Sequence, residues 1–302
     1  MPIACRCFRC GIINEAPDNQ AGQTLRCSGC GVELALPGSG EVAAARIADR
    51  PHRGGSGRWW PWLLVIVVLL VCGAIATPIV SLILMTLNMS REHQRQYACR
   101  SHMRNIASAM LAYEREHGAL PPQSVPGPNG KPWHSWRVLL LPYLDEKPLY
   151  ERYRFDEPWD GPHNRLLHDH AFSVYHCPTD DSDLSRTSYF VVSGPGMMFE
   201  PGKRLKSADA ADGAGNTVLV IEAAGQNIHW LEPRDLESAQ LANQVNASGQ
   251  PSISSAHPKV AHVALVDESE RAIADDADPA AVRAMLTRNG GETAPLPGDS
   301  RP

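Results

Sequence analysis

A stretch of 32 residues without a charged side chain, residues 59–90, most constrains what this chain can fold into. As an α-helix it is long enough to cross the hydrocarbon core of a bilayer, which needs about 20 apolar residues. Trp59, Trp60 and Trp62 stand at its start, where indole rings suit the boundary between lipid and water. The sequence therefore predicts one transmembrane helix over residues 59–88, with membrane lipid around it.

Five of the eight cysteines precede residue 31, and four of these form two C-x2-C pairs. Pairs at this spacing are typical of a four-thiolate zinc site, because each tight turn supplies two thiolates to one tetrahedral ion. With four protein ligands there is no open coordination position, so the metal would be structural. The sequence predicts a zinc ribbon over residues 1–36 with the ligands Cys7, Cys10, Cys27 and Cys30.

Two other interpretations of these cysteines stay open. The pairs could instead form two disulfides, and Cys5 could replace Cys7 as a ligand. Metal-bound thiolates suit a reducing compartment. This favours a cytoplasmic N-terminus and an exported C-terminal part, although arginines flank the span almost equally on both sides. The predicted location is the inner (cytoplasmic) membrane, crossed once.

Charge and composition distinguish the linker, the head and the tail of the chain. The net charge of −5 argues against nucleic acid as a partner, and residues 91–302 carry 21 Lys and Arg against 28 Asp and Glu. Residues 37–58 have the Gly-, Ala- and Arg-rich composition of a flexible linker, and residues 293–302 that of a disordered tail. Residues 89–292 are left to form an exported globular head.

The helix is expected to continue beyond the membrane and to pack on a sheet. Residues 90–117 lack Pro and Gly, and their apolar side chains recur every three or four positions, as at Met103, Ile106 and Met110. Gly118 suits the position just after a helix. Runs rich in β-branched residues follow at 189–193 and 217–222. Residues 260–266 and 269–273 are expected to form a hairpin around Asp267 and Glu268, and a short helix begins at Pro279. The sequence predicts an α+β fold in which a spine helix packs on an antiparallel sheet.

Seven segments in this part of the chain resemble a known family in their order along the sequence. They are CRSHMRNIASAMLAYEREHGALPP (99–122), HSWRVLLLPYLDEKPLYERYRFDEPWD (134–160), YHCPTD (175–180), TSYFVVSGPG (187–196), DGAGNTVLVIEAA (212–224), IHWLEPRDLE (228–237) and AHPKVAHVALVDESERAIADDADPAAVRAMLTRNGGE (256–292). The chain resembles the PulG-like pseudopilin-type family of unknown function (DUF1559). The resemblance implies a pilin-like fold related to type II secretion and type IV pili, and it implies no assigned reaction.

The sequence also departs from that family. Members usually carry a prepilin leader, cut by a peptidase, and a glutamate near the new N-terminus that helps subunits to assemble. No acidic residue occurs here between Trp59 and Arg91. We therefore expect neither prepilin processing nor filament assembly through such a glutamate. The family's HPGG turn reads HPKV at 257–260, and its DGS turn reads DES at 267–269.

The resemblance implies one further feature of the head. The positions of Cys99 and Cys177 are often cysteine in the family, and outside the membrane the two could pair as a disulfide. Two free buried thiols are the alternative. Several loop residues could bind a metal through imidazole and carboxylate groups, but their spacing fits neither a helix nor a strand, and ordinary loop histidines are the favoured interpretation. They are Asp160, His163, His168, Asp169, His170 and His176.

These observations predict a non-enzymatic, single-pass membrane protein with a structural or transport-associated role. Components of a secretion or pilus-like apparatus are its expected partners. The chain has neither the G-x-S-x-G of a hydrolase nor a phosphate-binding glycine loop, so we predict that it is not an enzyme. One alternative is an exported domain that binds a solute or a protein and is coupled to the cytoplasmic zinc ribbon. A weaker alternative is a membrane-tethered hydrolase.

Overall fold

The computed structural model describes residues 2–38, 60–170 and 172–291 of the chain. The chain forms two compact units, Met1–Ala76 and Thr77–Pro302. The predicted tail and nearly all of the predicted linker lie outside the described residues, as does Trp59.

The first unit contains two small antiparallel hairpins. Its strands are β1 (Ile3–Arg6), β2 (Ile13–Ala16), β3 (Thr24–Arg26) and β4 (Glu33–Ala35), which pair as β1 with β2 and β3 with β4. A 3₁₀ turn at Asp18–Gln20 lies between the hairpins. The core here centres on Cys7, Cys27 and Leu34. Burial of so few apolar side chains cannot stabilise a fold, and the unit needs another source of stability.

One long helix, α1 (Trp60–His117), begins in the first unit and continues in the second. By length and composition it could serve as a membrane span or a signal sequence, and the side chains of its most apolar window are not buried. The helix ends where the sequence predicts. Gly118 has a φ of +75° and donates its N–H to the carbonyl of Glu114 at 2.7 Å. A left-handed residue at this position closes a helix and favours glycine.

The second unit is an α+β domain built around one antiparallel sheet. Its further elements are β5 (Ser124–Pro126), β6 (Pro132–Ser135), α2 (Trp136–Leu139), α3 (Lys147–Arg152), β7 (Tyr189–Phe190), β8 (Val192–Ser193), β9 (Val218–Glu222), β10 (Leu236–Glu237), β11 (Val260–Leu265), β12 (Glu270–Ala274) and α4 (Pro279–Leu286). The main sheet has the order β12-β11-β9-β7, while β5 pairs with β6 and β8 pairs in parallel with β10. The predicted hairpin β11–β12 and the helix starting at Pro279 are confirmed.

The main sheet lies between two apolar layers. Met103 and Met110 of α1 share one buried cluster with Ala264 of β11. Val263, the preceding residue of β11, belongs to a second cluster that contains Val282 of α4. Successive side chains of a strand point to opposite faces, so α1 and α4 cover different faces of the sheet. The apolar stripe predicted on α1 is therefore the surface that packs on the head.

A fully buried ion pair joins α2 to the loop before β10. Arg137 Nη2 lies 2.7 Å from Asp235 Oδ1, and it also donates to the carbonyl of Tyr189 at 2.9 Å. The indole N–H of Trp136 donates to Asp235 Oδ2 at 3.0 Å. Burial raises the pKa of Asp235 to about 6, although the charge of Arg137 opposes the shift. No pattern in the sequence pointed to this pair, because its partners are 98 positions apart.

Because His229 is buried, we expect the head to lose folding stability in mild acid. Its Nε2 donates to the carbonyl of His168 at 3.2 Å, and its Nδ1 accepts from the N–H of Leu231 at 3.1 Å, which holds the ring neutral. Burial lowers the pKa of His229 from 6.5 to about 4. Between these values the unfolded chain binds more protons, so the contribution is complete above pH 6.5 and is lost as the pH falls toward 4. We expect Tm to fall less steeply over this range in His229→Gln than in the wild type.

The exposed His93 provides the matched control, because His93→Gln changes the same side chain on the surface of α1. We expect its profile of Tm against pH to follow that of the wild type. Equal slopes for His229→Gln and the wild type would contradict the assignment of this acid sensitivity to His229.

Candidate metal centre

The four predicted zinc ligands come together in the first unit. The sulfur atoms of Cys7, Cys10, Cys27 and Cys30 all lie within 4.8 Å of one another. The Cys7–Cys30 pair is 3.6 Å apart and the Cys10–Cys27 pair 3.4 Å. Ligand sulfurs on a tetrahedral zinc ion, with bonds of about 2.3 Å, are about 3.8 Å apart. The four thiols could therefore hold a metal ion of this size. Cys5 is not one of the group.

The two cysteine turns have the same backbone geometry. Cys7 donates its N–H to the carbonyl of Ile12 and accepts from the N–H of Gly11, both at 2.9 Å. The corresponding bonds recur around Cys27, where Gly31 is the donor at 2.9 Å. Gly11 and Gly31 have φ values of +79° and +69°, a conformation that a residue with a Cβ rarely adopts. Each glycine thus lets the chain turn tightly enough for one pair of thiols to face the same point.

Polar groups around Cys27 favour its thiolate, which is the form that binds metal. The backbone N–H of Gly29 is the largest influence and lowers the pKa of Cys27 to about 6. Nδ2 of Asn14 lies 3.5 Å from the sulfur, and Oδ1 of the same side chain accepts from the N–H of Ser28 at 2.9 Å. Asn14 thereby links the first hairpin to the second cysteine turn. The cysteine spacing alone does not reveal this residue.

The two cysteines of the head are also brought together. Cys99 and Cys177 are buried and are free thiols in the structure. Their sulfur atoms form a group with an imidazole nitrogen of His257 and a carboxylate oxygen of Glu222, all within 4.8 Å of one another. The disulfide between them stays a prediction. No short-range pattern in the sequence points to Glu222 and His257, because they lie 45 and 80 positions beyond Cys177.

The predicted loop histidines have separate partners. His163 pairs with Glu157 at 3.3 Å, the ring of His168 stacks on Trp159 at 5.1 Å, and the ring nitrogens of His176 face backbone carbonyls. Within residues 2–38, 60–170 and 172–291, neither these histidines nor their aspartate neighbours belong to a group that could hold a metal.

An open cleft of about 450 Å³ lies beside the end of α1, where Tyr113 and Met198 line it. Its two cationic side chains are already engaged. Lys203 pairs with Glu200 at 2.7 Å, and Arg204 donates to the last carbonyl of α1 at 3.1 Å.

One part of the chain matches a known protein family. Residues 89–196 match the model of a family described as "Protein of unknown function (DUF1559)". The match begins in α1 and ends just after β8. No curated protein and no solved structure matches the chain. Over these residues, about a third of its length, the chain is similar to a family of unknown function, and the match spans the first four of the seven motif segments.

Proposed function

We propose that this chain is a non-enzymatic, single-pass membrane protein whose head has a pseudopilin-like, structural or transport-associated role. The observation that carries the proposal is the division of α1 into two parts. Its first part exposes a continuous run of apolar side chains, while residues from Cys99 to Met110 pack into the core of the head. One helix with these two surfaces suits a membrane anchor that continues as the spine of a globular domain.

The metal of the first unit is, in this proposal, a structural zinc ion. Four thiolates complete a tetrahedral shell and leave no position for a substrate. The ion would replace the apolar core that a unit of this size lacks. Since a centre of four zinc thiolates suits a reducing compartment, we place the N-terminus in the cytoplasm and the head outside the inner membrane, where burial shields the two thiols of the head from oxidants.

A structural role also agrees with the surroundings of the reactive groups of the head. Cys99 is fully buried and Cys177 is 1% exposed. Buried thiols in closed surroundings do not meet substrates, whereas catalytic cysteines lie in accessible, electropositive sites. The assignment as a non-enzyme rests on this inaccessibility and on the absence of a hydrolase motif in the sequence.

Topology is the most direct test of the proposal. Gln23 of the first unit and Glu151 of α3 are both exposed, so Gln23→Cys and Glu151→Cys form a matched pair. In spheroplasts, a maleimide that cannot cross membranes should label Glu151→Cys above the wild-type background. Gln23→Cys should gain label only after the membrane is permeabilised. Both proteins should stay in the membrane after an alkaline carbonate wash.

Two outcomes would overturn this arrangement. Labelling of Gln23→Cys alone in intact spheroplasts would reverse the orientation. Release by carbonate would show that α1 is not a membrane anchor. The role of the head has its own readout: crosslinking of native membranes followed by mass spectrometry should join head lysines such as Lys147 to secretion-apparatus subunits or to other copies. Recovery of crosslinks within single chains only would contradict an assembly role.

A further inference from the structure

Four metal-binding side chains from four separate segments meet inside the head. Cys99 lies in α1, Cys177 follows a 3₁₀ turn at Ser173–Tyr175, Glu222 ends β9 and His257 precedes β11. All four are buried, with exposures of 0–2%. We propose that Cys99, Cys177, Glu222 and His257 form a second metal site of this protein, which binds a Zn²⁺ ion.

The donor atoms are already near the positions that such an ion requires. Cys177 Sγ lies 3.4 Å from His257 Nε2, and the four donor atoms fit within 4.8 Å of one another. With zinc bonds of about 2.0–2.3 Å, neighbouring ligand atoms of a tetrahedron are about 3.3–3.8 Å apart. A contraction of about 1 Å would therefore complete the shell. Two thiolates, one imidazole and one carboxylate are a donor set typical of zinc.

The imidazole is held as metal-binding imidazoles usually are. A histidine that binds a metal through one nitrogen generally donates the other N–H to a carboxylate or carbonyl, which fixes the ring. His257 Nδ1 lies 2.6 Å from Glu92 Oε1 and 3.1 Å from Thr179 Oγ1, which leaves Nε2 facing Cys177. Glu92 precedes Cys99 by seven residues, so both lie on the same face of α1. Helix α1 thus supplies the ligand Cys99, and through Glu92 it also orients the ligand His257.

Hydrogen bonds also hold the carboxylate of Glu222 in place. Its Oε2 accepts from the backbone N–H and the ring Nδ1 of His262, each at 3.1 Å, and its Oε1 accepts from Ser255 Oγ. A carboxylate oxygen has two lone pairs, so Oε1, which accepts one bond from Ser255, keeps a second lone pair with which Glu222 can bind an ion. These hydrogen bonds orient the carboxylate in the way that surrounding hydrogen bonds orient metal ligands in general.

A buried hydroxyl beside the thiols gives an independent indication. Tyr189 is fully buried, and among the described residues its hydroxyl has no hydrogen-bond partner of good geometry. The Cys99 thiol, a weak acceptor, is within reach of this hydroxyl. A poorly bonded buried donor is costly, and a thiolate accepts a hydrogen bond far better than a thiol does. Metal binding would convert both thiols to thiolates and so provide Tyr189 with a stronger acceptor.

An ion held this way would fasten the spine helix to the sheet. Its ligands would join α1, the loop after Tyr175, β9 and the loop before β11, adding to the hydrogen bonds that α1 already makes to both loops. All four coordination positions are filled by protein and no path for a substrate is implied, so the site is structural. Zn²⁺ would displace one proton from each thiol as it binds.

The test measures metal in the full-length protein, purified in detergent without chelators. The wild type should contain two zinc ions per chain, one at each site. Cys27→Ser removes a ligand of the N-terminal centre and should retain one ion. Adding Cys177→Ser to that variant should remove the second ion. Cys72→Ser is the matched control, because Cys72 lies outside both clusters and its loss should leave two ions.

Two measurements keep the test valid if Cys177→Ser folds poorly. X-ray absorption of the Cys27→Ser protein should show about two sulfur and two nitrogen or oxygen ligands, whereas a residual N-terminal site would show sulfur almost alone. Titration of thiols in denatured, unreduced wild-type protein should detect all eight cysteines. A count lower by two, with zinc only at the N-terminal centre, would establish the Cys99–Cys177 disulfide and overturn the proposal. A metal-free Cys27→Ser protein with all its thiols reduced would overturn it as well.

Discussion

In the full-length protein, Cys27→Ser is expected to release the metal of the N-terminal centre and to unfold the two hairpins around it. Cys27 is one of three buried residues at the core of this unit, and its sulfur is 3.4 Å from that of Cys10. Structural zinc sites of four ligands supply about 10–16 kcal/mol of apparent folding free energy at pH 7. A core this small cannot replace a contribution of that size.

Limited trypsin digestion measures this unfolding. Cleavage after Arg6, Arg9 and Arg26 should be slow in the wild type and rapid in Cys27→Ser or after treatment with a strong chelator. Cys5→Ser is the matched control, since Cys5 lies in β1 of the same unit but outside the four-thiol group. If Cys5→Ser caused the same cleavage and metal loss, the ligand set would be wrong. If Cys27→Ser stayed resistant, the metal would not hold the unit together.

Removal of the buried carboxylate at Asp235 is expected to cost the head roughly 3–5 kcal/mol, because it leaves the charge of Arg137 buried without its partner. The Arg137 side chain is fully enclosed, and Asp235 also accepts from the N–H of Val191 at 3.1 Å and from Trp136. One substitution therefore breaks bonds to α2 and to the strand region after β7. The pKa of Asp235 is about 6, so at pH 7.5 most of the lost interaction is that of an ion pair.

A nearby surface pair provides the comparison. Glu232 accepts from Arg234 at 2.8 Å, and the arginine side chain of that pair is 58% exposed. Exposed pairs contribute less than about 1 kcal/mol, so Glu232→Ala should hardly change Tm. Thermal unfolding at pH 7.5 should give a large drop for Asp235→Ala and an intermediate one for Asp235→Asn, which keeps the shape but not the charge. Equal effects of Asp235→Ala and Glu232→Ala would contradict the assigned role of the buried pair.

Much of the fold could be predicted because the relevant signals are local. The helix end at Gly118, the hairpin β11–β12 and the helix at Pro279 each depend on residues within a few positions of one another. The parallel pairing of β8 with β10 could not be predicted. It joins Leu236 to Val192 across 44 positions through strands of two residues each, which are too short for a periodic pattern. Pairing of such strands is decided by the apolar surface on which they pack.

The two candidate metal sites also differ in how far the sequence could predict them. Each cysteine turn of the N-terminal centre lies in one short segment, so spacing indicated its ligands, while only the structure separated Cys5 from the set. In the head, the sequence offered Cys99 and Cys177 as a pair without further partners. Glu222 and His257 joined them only because β9 and the loop before β11 pack against the same part of α1.

By itself the sequence determined the charge-free apolar stretch, the two cysteine turns and the apolar stripe of the spine helix, because each is a short-range or periodic pattern. Only the tertiary structure decided which buried polar groups meet. Arg137 with Asp235, and the two head thiols with Glu222 and His257, come from segments far apart in the chain. A buried polar side chain must find its partner inside the core, and that partner is set by how helix and sheet pack rather than by any neighbouring residue.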